Sequence, residues 1–220
     1  MKYYSQRRAV LEAAQKMNRD GLNHGTSGNV SLRVEDGLLI TPTGMAYEDL
    51  SPEDLVEMRW DGSVPIGQRV PSSEWQMHRD LYQSREDAQA IFHTHPMFCT
   101  TLACLRRPIP AVHYMIAVTG ASVIQCARYE TFGTAELSAA AGEALRGSKA
   151  CLLANHGMLA LGGSLKEAHK VASEVENLAA QYWRALQVGE PFILDQAEMT
   201  RVIEKFRTYG QQKKSPRSRG

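Results

Sequence analysis

The sequence predicts a layered α/β (α+β) fold, with a central, mainly antiparallel sheet flanked by helices. Two observations carry this expectation. Strand-like and helix-like segments are interleaved, but without the strict strand–helix–strand rhythm of an all-parallel sheet. The early strands are consecutive and hairpin-like, as antiparallel neighbours are.

In chain order, residues 5–20 place Ala9, Val10, Ala13, Ala14 and Met17 at helical spacing, and Gly21 suits the helix end. The small polar loop Gly25-Thr26-Ser27-Gly28-Asn29 follows. Residues 30–33 and 38–41 read as two strands around a turn at Glu35-Asp36-Gly37. Thr41-Pro42-Thr43-Gly44 is a second turn, and residues 55–60 suggest a third strand. Pro71-Ser72-Ser73-Glu74 predicts a helix start, with Ser72 or Ser73 as cap and Glu74 in the first turn. Residues 90–95 read as a short strand stopped by Pro96, residues 97–105 as a short helix and residues 123–126 as a strand. An Ala-rich helix over 134–146 ends at Gly147, and 150–154 is an apolar strand. Ser164 caps a long helix to about 188, and a last helix covers roughly 196–207.

The 220 residues suit a single domain over 1–210, and the basic cluster from 213 to 219, mixed with Ser, Pro and Gly, predicts a disordered tail over 211–220. Apolar residues are 43%, charged residues 22% and the net charge +1, so no strong field selects nucleic acid or an anionic membrane as partner. No apolar run approaches the ~20 residues that span a bilayer, and Met1 to Arg8 lack the apolar region of a signal peptide. None of Cys99, Cys104, Cys126 and Cys151 forms a Cys-x-x-Cys pair, and Cys151 reads as a buried thiol, so a reducing cytoplasm is expected.

His93-Thr94-His95 sets two imidazoles at i and i+2 on a predicted strand, hence on one face, where they can share a cation. Neutral imidazole suits zinc, which at catalytic sites takes three protein ligands and keeps one position open. His156, at the end of the apolar strand, is the candidate third ligand, with Gly157 allowing a tight turn. The plain alternative is two hydrogen-bonded histidines on a half-solvated strand. His78 stands four residues after Glu74 on the same helix face, where a ligand pair is conceivable, although packing is the simpler reading for His78 and His169. Glu74 itself reads either as a helix-dipole carboxylate or as a general base beside the metal.

Nine ordered segments together resemble the class II aldolase/adducin-head family, and within it the L-fuculose-phosphate aldolases. They are Gly21-Leu22-Asn23, Gly25-Thr26-Ser27-Gly28-Asn29-Val30-Ser31, Leu39-Ile40-Thr41-Pro42-Thr43-Gly44, Pro71-Ser72-Ser73-Glu74-Trp75, His93-Thr94-His95, Ile109-Pro110-Ala111-Val112-His113-Tyr114-Met115-Ile116, Thr131-Phe132-Gly133-Thr134, Asn155-His156-Gly157 and Lys205-Phe206-Arg207-Thr208-Tyr209-Gly210. The resemblance implies a lyase of three-layer fold that reversibly cleaves a ketose 1-phosphate to dihydroxyacetone phosphate and an aldehyde. It implies His93, His95 and His156 as zinc ligands, with manganese or cobalt as alternatives, and Glu74 as zinc neighbour and acid/base. It makes Tyr114 the second acid/base, reaching a neighbouring subunit's site in a homotetramer. Thr26, Gly28, Asn29, Thr43, Gly44, Ser72 and Ser73 would hold the phosphate, in segments that otherwise read as ordinary turns. The pKa of Glu74 is expected to rise by burial, against the opposing metal charge.

Asn155 and Pro96 stand where the fuculose-phosphate enzymes are expected to carry His and a small residue, so the aldehyde end is open. The substrate is expected to be L-fuculose 1-phosphate or a related 5-deoxy sugar phosphate. The alternative is 5-methylthioribulose 1-phosphate or 5-deoxyribulose 1-phosphate in nucleoside salvage. A pentulose-phosphate 4-epimerase, which would carry Asp at Glu74, a dehydratase and a non-catalytic module like the adducin head are the remaining readings.

Overall fold

The computed structural model describes residues 1–207. The tail at 211–220, with Thr208, Tyr209 and Gly210, lies outside the described residues. Seven strands form one sheet in the order β3-β2-β1-β4-β7-β6-β5. They are β1 (Asn29–Val34), β2 (Gly37–Ile40), β3 (Val56–Arg59), β4 (Ala90–Thr94), β5 (Cys126–Ala127), β6 (Ala150–Leu153) and β7 (Gly157–Gly162). Every adjacent pair is antiparallel except β5 with β6.

Helices cover both faces. On one lie α1 (Tyr4–Arg19), α3 (Met97–Cys104), α5 (Leu165–Val188) and α6 (Gln196–Phe206), sharing a core with Val30, Phe92, Leu152 and Met158. On the other lie α2 (Trp75–Ser84) and α4 (Ala135–Ala144), packed on Leu38, Ile91, Cys151 and Leu159. Alternation along β4 explains the split, since Ile91 faces one layer and Phe92 the other. Both are fully buried, each worth roughly 1.5–3 kcal/mol of transfer free energy. The same alternation sends His93 to the α2 side.

The hairpin, the third strand and the long helix capped by Ser164 lie where the sequence places them. Thr134 and Ser164 cap α4 and α5 through bonds accepted from Leu137 and Glu167 backbone N–H groups. Three boundaries differ. Glu74 is the cap residue of α2 rather than a first-turn residue, and neither serine bonds as its cap. The expected strand at 123–126 pairs only at Cys126–Ala127, with Ile124 making a lone bridge to Ile109. β7, between Gly157 and Gly162, was not expected at all.

Candidate active site

The site forms where the central strands end. His93 is the fourth residue of β4, and His95 follows just past its last residue, Thr94. The chain then turns at Pro96 into α3, whose first turn is clamped by Glu176 of α5. That carboxylate accepts from the N–H groups of Phe98 (2.9 Å) and Cys99 (2.8 Å). His156 lies between β6 and β7. The turn there is made by Asn155, with φ +54°, and not by Gly157. Gly157 instead permits a close approach, because a Cβ on it would collide with the Thr94 carbonyl oxygen and the His95 ring.

The three histidines converge, with one ligand nitrogen from each lying within 4.8 Å of the others. His93 Nε2 is 2.8 Å from His95 Nε2 and 3.0 Å from Glu74 Oε2. His93 Nδ1 donates to the Met158 carbonyl at 3.0 Å, a tautomer that leaves Nε2 with its lone pair facing Glu74. Glu74 Oε1 is buried without a hydrogen-bond partner, although His156 Nε2 lies 3.3 Å away. Electron-pair donors thus crowd one point with too few protons between them, which is the environment a cation satisfies. Burial first, then the neighbouring rings, pushes His95 down to about 3 and His156 to about 4, so both stay neutral as ligands must.

Glu74 departs from expectation. Burial does act to raise its pKa. The adjacent His93 and His156 rings and the Asn29 amide outweigh it and hold the carboxyl well below the usual range. His78 is not a ligand partner of Glu74 either. Its Nε2 bonds Asn29 Oδ1 at 2.5 Å, and Asn29 Nδ2 donates to Glu74 Oε2 at 3.1 Å. His169 packs on Phe92 and faces Asp20 at 3.1 Å.

A cavity of about 470 Å³ opens over this cluster. Thr26, Gly28, Thr43, Gly44, Ser72 and Ser73 line one part, and Tyr129, Glu130, Phe132 and Asn155 another, with His95, His156 and Glu74 also exposed to it. The hydroxyl-rich segments meet because the Thr43 and Ser72 N–H groups bond the Val70 and Thr41 carbonyls, both at 3.1 Å. No lysine or arginine among the described residues lines the cavity. The N-terminus of α2 begins beside Ser72 and Ser73, an arrangement that favours an anion.

Three site candidates lie apart from the cavity lining, the first being His93, fully buried beneath it. Asn29 is buried and engaged with Glu74 and His78. Tyr114 is 46% exposed, in a separate groove with Val112, Leu194 and Val202. Its ring lies 4.7 Å from that of His113 and 6.4 Å from that of Phe206. Reading the sequence missed Tyr129 and Glu130, which no motif marks, and missed the Asn29–His78 contact. Only the i, i+4 spacing of Glu74 and His78 hinted at the latter.

Residues 8–183 match the family model described as Class II Aldolase and Adducin N-terminal domain. The chain belongs to that family. It is 53% identical over 210 residues, 96% of this chain and 95% of the relative, to a 5-methylthioribulose-1-phosphate/5-deoxyribulose-1-phosphate aldolase of Rhodospirillum rubrum. It is 47% identical over 204 residues, 92% of this chain and 94% of the other, to an L-fuculose phosphate aldolase of Escherichia coli. A solved L-fuculose 1-phosphate aldolase superimposes with a TM-score of 0.89 at 42% identity, covering 91% of this chain and 95% of that one. Within the family the chain is a class II aldolase, and so a lyase.

Proposed function

We propose that this aldolase cleaves a ketose 1-phosphate whose far end is a small apolar group, a 5-deoxy or 5-methylthio pentulose 1-phosphate. The observation that carries the reading is the makeup of the cavity. Hydroxyls and a helix N-terminus stand on one side, the histidine cluster on its wall, and Tyr129 and Phe132 with Asn155 on another. The 53% identical relative supports the same substrates. L-fuculose 1-phosphate is the second reading, favoured by the 47% identical relative and by Glu130, which offers the cavity an acceptor for a further hydroxyl.

The phosphate is bound by Thr26, Gly28, Thr43, Gly44, Ser72 and Ser73, with Asn29 helping to shape that side. Hydroxyls and backbone N–H groups suffice for an oxyanion without a basic side chain. His93, His95 and His156 hold a divalent ion, with Glu74 beside it. Zinc suits three imidazoles, and the ion supplies Lewis-acid stabilisation of negative charge developing on the substrate oxygens. Tyr114 of a neighbouring subunit takes the proton of the C4 hydroxyl. The C3–C4 bond breaks, the aldehyde departs, and the electron pair stays with C3. A proton taken up from solvent passes through Glu74 to C3 to give dihydroxyacetone phosphate, and Tyr114 releases the C4 hydroxyl proton to solvent. In the reverse direction the ionised Glu74 removes the C3 proton. Tyr114 is exposed and lies outside its own chain's cavity, which supports an assembly that brings sites and tyrosines together, and a homotetramer is the form we propose. The four free cysteines fit a cytoplasmic setting.

The test is a product assay over 5-methylthioribulose, 5-deoxyribulose and L-fuculose 1-phosphates, with metal analysis alongside. Dihydroxyacetone phosphate should appear fastest from the two pentuloses, with one zinc per chain, and chelation should stop its release. A clear preference for L-fuculose 1-phosphate would move the conclusion to the second reading. Turnover without dihydroxyacetone phosphate would refute cleavage.

A further inference from the structure

We infer that His78 is a positioning residue for Glu74, acting through the carboxamide of Asn29. The inference rests on Glu74 as the group that moves the C3 proton. Asn29 and Ser31 stand two residues apart on β1, so they share the face that α2 covers. His78, fully buried on α2, bridges them with its two ring nitrogens. Nε2 lies 2.5 Å from Asn29 Oδ1, and Nδ1 lies 2.7 Å from Ser31 Oγ. Ser31 Oγ is also 2.8 Å from the hydroxyl of Tyr82, one turn further along α2.

Proton bookkeeping gives this chain one direction. An ionised carboxylate only accepts, so Asn29 turns its NH2 to Glu74 and its carbonyl to His78. His78 then carries its hydrogen on Nε2 and accepts at Nδ1. The Ser31 hydroxyl supplies that bond and in turn accepts from Tyr82. Every donor points toward Glu74. Burial keeps the ring neutral, pushed down to about 3, as this polarity requires.

The consequence falls on the carboxylate. Oε2 accepts from Asn29 Nδ2 at 3.1 Å, while the His93 Nε2 lone pair, 3.0 Å away, offers it no proton. Oε1 is left as the oxygen without a hydrogen-bond partner. Proton transfer to carbon depends on such angular placement. Without His78 the Asn29 amide can turn over, setting an acceptor against the carboxylate. A histidine that merely fills the core would have no such effect.

The experiment follows solvent deuterium into dihydroxyacetone phosphate, together with cleavage kinetics and zinc content, for His78→Phe, His78→Gln and Glu74→Gln. His78→Phe should slow exchange and kcat about 10- to 100-fold, with KM and zinc content near wild type. His78→Gln, which returns a donor to Asn29, should recover most of the loss. Wild-type exchange in zinc-loaded His78→Phe overturns the inference, as does equal impairment of both variants with loss of zinc. If His78→Phe does not fold, Ser31→Ala and Tyr82→Phe replace it, with expected kcat losses of about 2- to 10-fold at unchanged KM. Unchanged kcat in both would overturn it too. Normal exchange in Glu74→Gln would instead refute the role of Glu74. Loss of exchange in Glu74→Gln beside normal exchange in His78→Phe removes the inference alone.

Discussion

Glu74 and Tyr114 are the two groups assigned to proton chemistry, and the chain treats them in opposite ways. Glu74 is 5% exposed, held by Asn29 and flanked by two histidines on the central strands or at their ends. Tyr114 is 46% exposed, on a single 3-10 segment, Tyr114–Thr119, beside a surface groove. On the mechanism we propose, one end of the reaction is built into the fold and the other lies on the surface, to be put to use by assembly. The difference would separate what folding provides from what association provides, with the C3 proton chemistry in one chain and the C4 proton chemistry shared by two.

Two substitutions sharpen that contrast. Tyr114→Phe should lower cleavage by about 10²- to 10⁴-fold, the usual worth of a general acid–base group. It should leave thermal stability and deuterium exchange into dihydroxyacetone phosphate near wild type. Parallel loss of exchange and cleavage would place Tyr114 in the structural framework instead. Gly157→Ala should do the reverse, striking stability first. Its Cβ meets the Thr94 carbonyl and the His95 ring, so unfolding should cost about 1–3 kcal/mol less, with weaker zinc retention. A denaturation midpoint equal to wild type would show that the ligand-bearing turns are softer than their packing indicates.

The sequence made the same contrast only partly legible. The hairpin of β1 and β2 was readable because alternation and a Glu-Asp-Gly turn are local signals. Ser164 and the long amphipathic α5 were readable for the same reason. β7 was not, although Met158-Leu159-Ala160-Leu161 is apolar and bounded by glycines. It is buried on both faces, so it lacks alternation, and it has no β-branched residue to set it apart from a loop or a helix fragment. In the site, the histidine trio was reached through motif order. The pairing of Asn29 with His93 across β1 and β4 is a matter of register, and register between distant segments is not written in either one. The fall in the Glu74 pKa was missed for a similar reason. Burial was foreseeable, but the two rings and the amide that override it arrive from three other parts of the chain.

The most direct test of a site divided between chains is complementation. Glu74→Gln keeps its tyrosine and Tyr114→Phe keeps its carboxylate, and each alone should be nearly inactive. Unfolded together, refolded with zinc and allowed to assemble at random, equal amounts should regain about a quarter of native sites. Cleavage near a quarter of the wild-type rate is the predicted result. Mixed assemblies, shown by tagging to contain both chains, that stay as inactive as their parents would contradict the account.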